Sequence, residues 1–205
     1  DVRLPMKINV QKRTLPDPAQ WVFHLDLWQN PYAVARYYNV PLWSRQHFDI
    51  MKPLMQQLAN AGQKVITASV MHHPWAGQTE DPFDSMVFRM KKIDGSWVYD
   101  YTVFDRWVEF MMSVGIDRQI NCYTLVPWAL KFDYYDQATN RIRFVEAKPG
   151  EAAYEDYWFS FLKDFAGHLR QKGWFEKTTI AMDERGKSMM QKAFDLIFRA
   201  DAGYK

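Results

Sequence analysis

Cysteine is nearly absent from this chain. Cys122 is the only one in 205 residues, which excludes an intrachain disulfide framework and a cysteine-built zinc site. A surplus of one charge is missing too. The formal net charge is +2, with Lys and Arg scattered, so no nucleic-acid surface is expected. No apolar run approaches the ~20 residues of a membrane-spanning helix. The chain opens at Asp1 without Met and without a signal peptide, and reads as processed or trimmed. Also missing are a Gly-rich phosphate loop, a G-x-S-x-G nucleophile elbow and the H-x-H or H-x-x-x-H spacing of a strong zinc site.

Aromatics, by contrast, are abundant: 17% of residues, including nine Trp. Some of that ring area belongs in a core, and the rest suits the polar, concave surroundings of a carbohydrate cleft. The length allows one sizeable domain or part of a larger one.

Residues 1–20 contain Pro5, Pro16 and Pro18 and read as a linker or lead-in. A domain is expected over residues 21–205. Trp21–Trp28 reads as a first buried strand, ending in Gln29-Asn30-Pro31. Ser44 then caps a helix with Phe48, Met51, Met55 and Leu58 on one face, a kink expected at Pro53, and its end at Gly62. The pattern repeats three times. Strands over 64–70, 116–124 and 178–182 precede helices starting near Thr102, Ala152 and Lys187. Four strand–helix units in series predict an α/β fold with a parallel sheet and right-handed crossovers.

The connections add a direction. Helix-to-strand links are short, beginning at Gly62, Gly115 and Gly173. Strand-to-helix links are long, and two are expected to hold hairpins: one over about 86–99 with a tight turn at Asp94-Gly95, another over about 132–144. Elaborated loops after the strands mark the functional face of a (β/α) barrel. A closed barrel needs eight units, so the expectation is a TIM-barrel type fold of which this chain holds the first four units, a half-barrel.

Reading off the four strand ends collects the candidate site. The first supplies Asp26, Trp28 and Asn30; the second His72, His73 and Trp75; the third Asn121, Tyr123 and Trp128; the fourth Asp183, Glu184 and Arg185. Flat rings beside hydrogen-bonding groups suit a sugar, with its C–H faces and hydroxyls. Any single Trp is more often core, but three at one topological level favour a cleft. The adjacent acids of Thr178-Thr-Ile-Ala-Met-Asp-Glu-Arg185 are the expected catalytic centre; helix capping is the plainer explanation. Adjacent histidines on a strand point to opposite faces, so no metal and no cofactor is expected. One of the pair reads as a pocket wall and the other as structural. Cys122 reads as a buried small hydrophobe.

Three segments also carry a family likeness. His24-Leu-Asp-Leu-Trp-Gln-Asn-Pro-Tyr32, Gln119-Ile-Asn-Cys-Tyr123 and Ala181-Met-Asp-Glu-Arg185 resemble the catalytic domain of glycoside hydrolase family 123, bacterial β-N-acetylgalactosaminidases. The likeness runs from about Trp21 to the end. It implies a (β/α)8 barrel preceded by a β-sandwich, with the later strands missing here, and an exported bacterial protein, periplasmic or on the cell surface. It also implies a glycan partner bearing N-acetylhexosamine and a retaining mechanism in which the substrate's own acetamido group attacks and forms an oxazoline. Asp183 then orients the acetamido group and Glu184 is the general acid/base.

Other readings compete with this one. A non-catalytic carbohydrate-binding domain would use the Trp set to stack ligand, and an isolated fragment of the enzyme would be inactive. A metal-assisted hydrolase would use His72, His73 and Asp26. Self-association through an open barrel edge is a further expectation.

Overall fold

The structure, a computed structural model, describes residues 2–204. Two sheets organise it. Strands β1 (Val65–Ser69), β4 (Gln119–Tyr123) and β7 (Thr178–Ala181) form a three-stranded parallel sheet in the order β1-β4-β7. Strands β2 (Phe88–Lys91), β3 (Trp97–Asp100), β5 (Lys131–Asp136) and β6 (Arg141–Glu146) form a second sheet in the order β3-β2-β5-β6. Helices α1 (Pro31–Tyr38), α2 (Arg45–Asn60), α3 (Thr102–Ser113), α4 (Ala152–Gln171) and α5 (Lys187–Ala200) complete the fold.

The parallel sheet has two chemically different faces, because side chains alternate along each strand. Register places Ala68, Cys122 and Ile180 side by side, and next to them Thr67, Asn121 and Thr179. Ile66, Ala68, Ile120 and Cys122 are wholly buried on the first face. The second face carries Thr67, Ser69, Asn121, Tyr123 and Thr179. It is this polar face, not the apolar one, that gathers the candidate site residues. The chain reverses into the sheet at Gly62, Gly115 and Gly173, all with positive φ. At Gly62 an added Cβ would also meet the Trp21 ring at 3.0 Å.

The expected half-barrel of four βα units is overturned. Trp21–Trp28 forms no strand; a single parallel bridge joins Leu25 to Gln63. Two glutamine side chains occupy the edge that a strand would have used. Gln29 Oε1 accepts from the Thr67 N–H at 2.9 Å, and its Nε2 donates to the Val65 carbonyl at 3.2 Å. Gln63 Oε1 accepts from the Leu27 N–H at 2.9 Å, while its Nε2 donates to Leu27 and Val65 carbonyls at 3.1 and 2.7 Å. With β1's polar groups met by side-chain amides, residues 21–28 lie outside the ladder, and Val22, Phe23, Leu27 and Trp28 are exposed. Asn30-Pro31, read as a strand end, instead starts α1: Asn30 Oδ1 accepts from the Ala33 N–H, and Pro31 sits where its missing N–H costs nothing.

Both hairpins form, with Asp94 and Gly95 at the turn of the first. What composition did not show is that they join. Each follows one of two adjacent parallel strands, so β2 and β5 leave side by side and pair in parallel. The inner face of this second sheet packs on α4. Tyr99 Oη and Ser160 Oγ are 2.7 Å apart, Tyr157 Oη donates to the Asp133 carbonyl at 2.8 Å, and the Arg89 guanidinium lies 4.1 Å from the Phe161 ring centre. The result is an α/β fold with one three-stranded parallel sheet and one mixed sheet, the mixed sheet packed on α4.

Candidate active site

Asn121 anchors the polar face. Its Nδ2 donates to Asp26 Oδ2 at 3.0 Å, and its Oδ1 accepts from Gln119 Nε2 at 2.6 Å and from Thr179 Oγ1. Gln119, Asn121 and Thr179 face the same way because they sit two apart on β4 and opposite one another across β4 and β7. Asp26 enters from the segment along the β1 edge. Its Oδ1 is buried without a partner among the described residues. Burial raises its pKa, against the opposing pull of His24 and of the Asn121 hydrogen bond.

Tyr123, at the end of β4, links the two acidic regions. Burial raises its phenol pKa most, and Asp26 and then Asp183 raise it further, so both carboxylates lie within electrostatic reach. Its ring is 4.8 Å from Trp28 and 5.2 Å from Trp75, and those two indoles are 5.4 Å apart. Trp75 is buried, and its Nε1 has no partner among the described residues; Trp28 is 52% exposed, which leaves an aromatic surface open to a ligand. The peptide bond after Tyr123 is cis.

Asp183 and Glu184 follow β7 after Met182, in the irregular segment before α5. Asp183 Oδ2 accepts from Trp128 Nε1 at 3.2 Å, and the Arg185 guanidinium stacks 4.8 Å from the Trp128 ring centre. Trp128 is 37% exposed. Arg185 therefore backs the indole that holds Asp183, while Glu184 is exposed and its side chain has no hydrogen bond or ion pair among the described residues. One acid is held and its neighbour is free to reach outward. A cleft of about 460 Å³ begins at Gly186, next to Arg185, between Lys148–Pro149 and the first turn of α5.

The histidines stand apart from this group. His72 and His73 lie in the loop after β1, not on the strand, and their rings stack at 5.4 Å. His72 Nδ1 is 2.9 Å from Asp84 Oδ1. Trp75 and Tyr123 connect their loop to the acids through ring contacts. Among the described residues no three His, Cys, Asp or Glu side chains cluster as a metal site would require. Cys122 is buried, and burial pushes its thiol pKa up. Sequence reasoning missed Gln29, Gln63, Gln119 and Thr179, which position Asp26 and Asn121. The i, i+2 spacing of Gln119 and Asn121 on an apolar strand was the available signal.

The family model described as glycoside hydrolase 123, catalytic domain, matches residues 28–205. The chain belongs to this family. A solved family 123 glycoside hydrolase from Clostridium perfringens, described for glycolipid glycan hydrolysis, is similar at 34% identity with a TM-score of 0.85. That similarity covers 89% of this chain and 33% of the solved one, so the present chain spans about a third of its relative's length. No curated protein matches. The family 123 match includes every candidate residue from Trp28 to Arg185; Asp26 lies just before it.

Proposed function

We propose that this chain carries the acid pair of a glycosidase that cleaves β-linked 2-acetamido-2-deoxy sugars, N-acetylgalactosaminides first among them, with retention. The observation that carries this reading is the unequal treatment of two adjacent carboxylates. Asp183 is held by Trp128 beside the Tyr123–Trp28–Trp75 rings, while Glu184 is exposed and unengaged among the described residues.

Most retaining glycosidases set two carboxyls about 5 Å apart and use one as a covalent nucleophile. Neighbours in sequence with different surroundings suit the substrate-assisted exception. Glu184 gives its proton to the glycosidic oxygen as the C1–O bond breaks. The acetamido carbonyl oxygen forms the new bond to C1, giving an oxazolinium ring. Asp183 accepts a hydrogen bond from the acetamido N–H and offsets the positive charge that develops on that ring. Glu184, now a carboxylate, takes a proton from water as that water attacks C1 and reopens the ring. Two inversions at C1 give net retention. Asp26, Asn121, Trp28, Trp75, Tyr123 and Trp128 form the surrounding wall, with His72 and His73 at its margin and Arg185 supporting Trp128.

Titration with an N-acetylgalactosamine-derived thiazoline and with the methyl 2-acetamido-2-deoxy-β-glycoside tests the reading. An enzyme binds the intermediate-like thiazoline at least about 100-fold more tightly. Equal affinities for the two would mean a carbohydrate-binding domain that does no chemistry.

A further inference from the structure

The cleft that begins at Gly186 is lined by Lys148 and Pro149 on one side and by Lys187, Met189 and Lys192 of α5 on the other. Its volume of about 460 Å³ falls within the roughly 300–1,000 Å³ of pockets that hold small ligands. Three lysines line it, and no carboxylate does. That is more positive charge than the net +2 of the whole chain. Among the described residues none of the three makes an ion pair or a side-chain hydrogen bond. Glu184 aside, the acids nearest to them in sequence are engaged elsewhere. Glu146 pairs with Lys131 at 3.4 Å, Glu151 accepts from the Lys148 N–H at 2.9 Å, and Asp195 accepts from Gln191 Nε2 at 3.0 Å. Gly150 makes room for one of the lysines: an added Cβ there would meet Lys192 Cδ at 3.0 Å.

Three connections place this cleft beside the acid pair. Gly186 is two residues from Glu184, so the backbone between them spans at most about 7 Å. Arg185 stacks on Trp128, which holds Asp183, and its Nη2 lies 3.8 Å from Met189 Sδ in the cleft wall. Ala147, next to Lys148, donates its N–H to the carbonyl of Leu130, two residues beyond Trp128. The cleft and the acids are neighbours, parted by Arg185 and Met189.

The chemistry of the walls selects an occupant. A lysine ammonium is a compact charge with three rotatable donors, so it takes carboxylate and sulfate oxygens alike. Pro149, Met189 and the lysine stems add apolar surface, which suits the C–H face of a sugar. A bare inorganic anion would use the charge and leave the apolar wall unused; a neutral sugar would do the reverse. We propose that this cleft is a subsite for an anionic sugar residue, a uronate or a sulfated sugar, next to the residue that is cleaved. Its place within a glycan rests on reading Asp183 and Glu184 as the cleavage site, whereas the anion binding itself rests on the lysines.

Backbone amide NMR of the 205-residue chain, titrated with methyl β-glucuronide, glucose 6-sulfate, methyl β-glucoside and sodium sulfate, tests it. The glucuronide, the sulfated sugar or both should shift the amides of 148, 186–189 and 192 saturably, and whichever binds identifies the anion. Methyl β-glucoside should bind at least about tenfold more weakly, and added sodium chloride should weaken the charged ligands. Exposed ion pairs are individually modest, so Lys187→Gln and Lys192→Gln together should weaken binding about tenfold. Circular dichroism and melting temperature should stay unchanged. The proposal is overturned if no sugar moves these amides, or if the glucoside or sodium sulfate binds as tightly as the charged sugars. It also fails if the double variant binds like the parent chain. Preference for the thiazoline with no response at these amides would sink the subsite and keep the glycosidase. Anion binding here with equal affinities for thiazoline and methyl glycoside would remove the glycosidase reading and keep the lysine site.

Discussion

Asp183 and Glu184 differ by one position in the chain and by nearly everything in their surroundings. Because Glu184 acts on the leaving oxygen, Glu184→Gln in the intact enzyme should slow cleavage of poor leaving groups by about 100- to 10,000-fold. Activated aryl glycosides, whose leaving groups need little protonation, should suffer far less. Asp183→Asn should slow both kinds, because ring closure by the acetamido group precedes either departure. Steady-state rates on the two substrates read the split, and near-normal turnover by the Asp183 variant would remove the substrate-assisted scheme. Asp26 offers a pH test. Burial raises its folded-state pKa above the ordinary value, so the folded protein holds that proton more tightly than the unfolded chain does. Its contribution to stability is therefore greatest below the ordinary carboxylate pKa of about 4 and is lost as pH rises through the folded value. Asp26→Asn should raise the melting temperature at neutral pH, with the gain vanishing in acid. The acids and the rings were legible as residues at strand ends. Which acid is held and which is free was not, since that depends on Trp128, more than fifty positions away in the chain.

At the scale of elements, the β1 edge separates what pattern reveals from what it cannot. The strands at 65–69, 119–123 and 178–181 were readable because a short segment with β-branched and apolar residues follows each glycine helix stop. Trp21–Trp28 has the same composition, but its ladder positions are filled by Gln29 and Gln63 side chains, and a side-chain amide leaves no periodic trace. Gln29→Ala should strip the Thr67 N–H of its partner and cost about 1–3 kcal/mol in urea unfolding. Hydrogen exchange should show Thr67 losing protection while Cys122, paired in the strand interior, keeps it. The hairpins were legible from Asp94-Gly95 and from alternating strands. Their union was not, because parallel pairing of β2 with β5 is set by which strands each hairpin follows.

For the whole molecule, α4 is the support of the second sheet. Trp158 is fully buried and touches Phe132 of the second sheet, the Arg89 guanidinium and Phe161 of its own helix. Trp158→Ala should cost about 3–5 kcal/mol. Far-ultraviolet and near-ultraviolet circular dichroism should still report one transition, because Trp158 belongs to one continuous hydrophobic core with Ile66, Ile120 and Ile180 of the parallel sheet. The positions of α2 to α5, the glycine stops, the three parallel strands and the adjacency of the two acids were determined by the sequence alone, since each rests on local periodicity, backbone freedom or neighbourhood in the chain, whereas α1 was not read from it. The absence of a first strand, the joining of two hairpins into one sheet and the unequal environments of Asp183 and Glu184 were decided only by the tertiary structure. Each depends on which distant group satisfies a given hydrogen bond, and no local pattern encodes that choice.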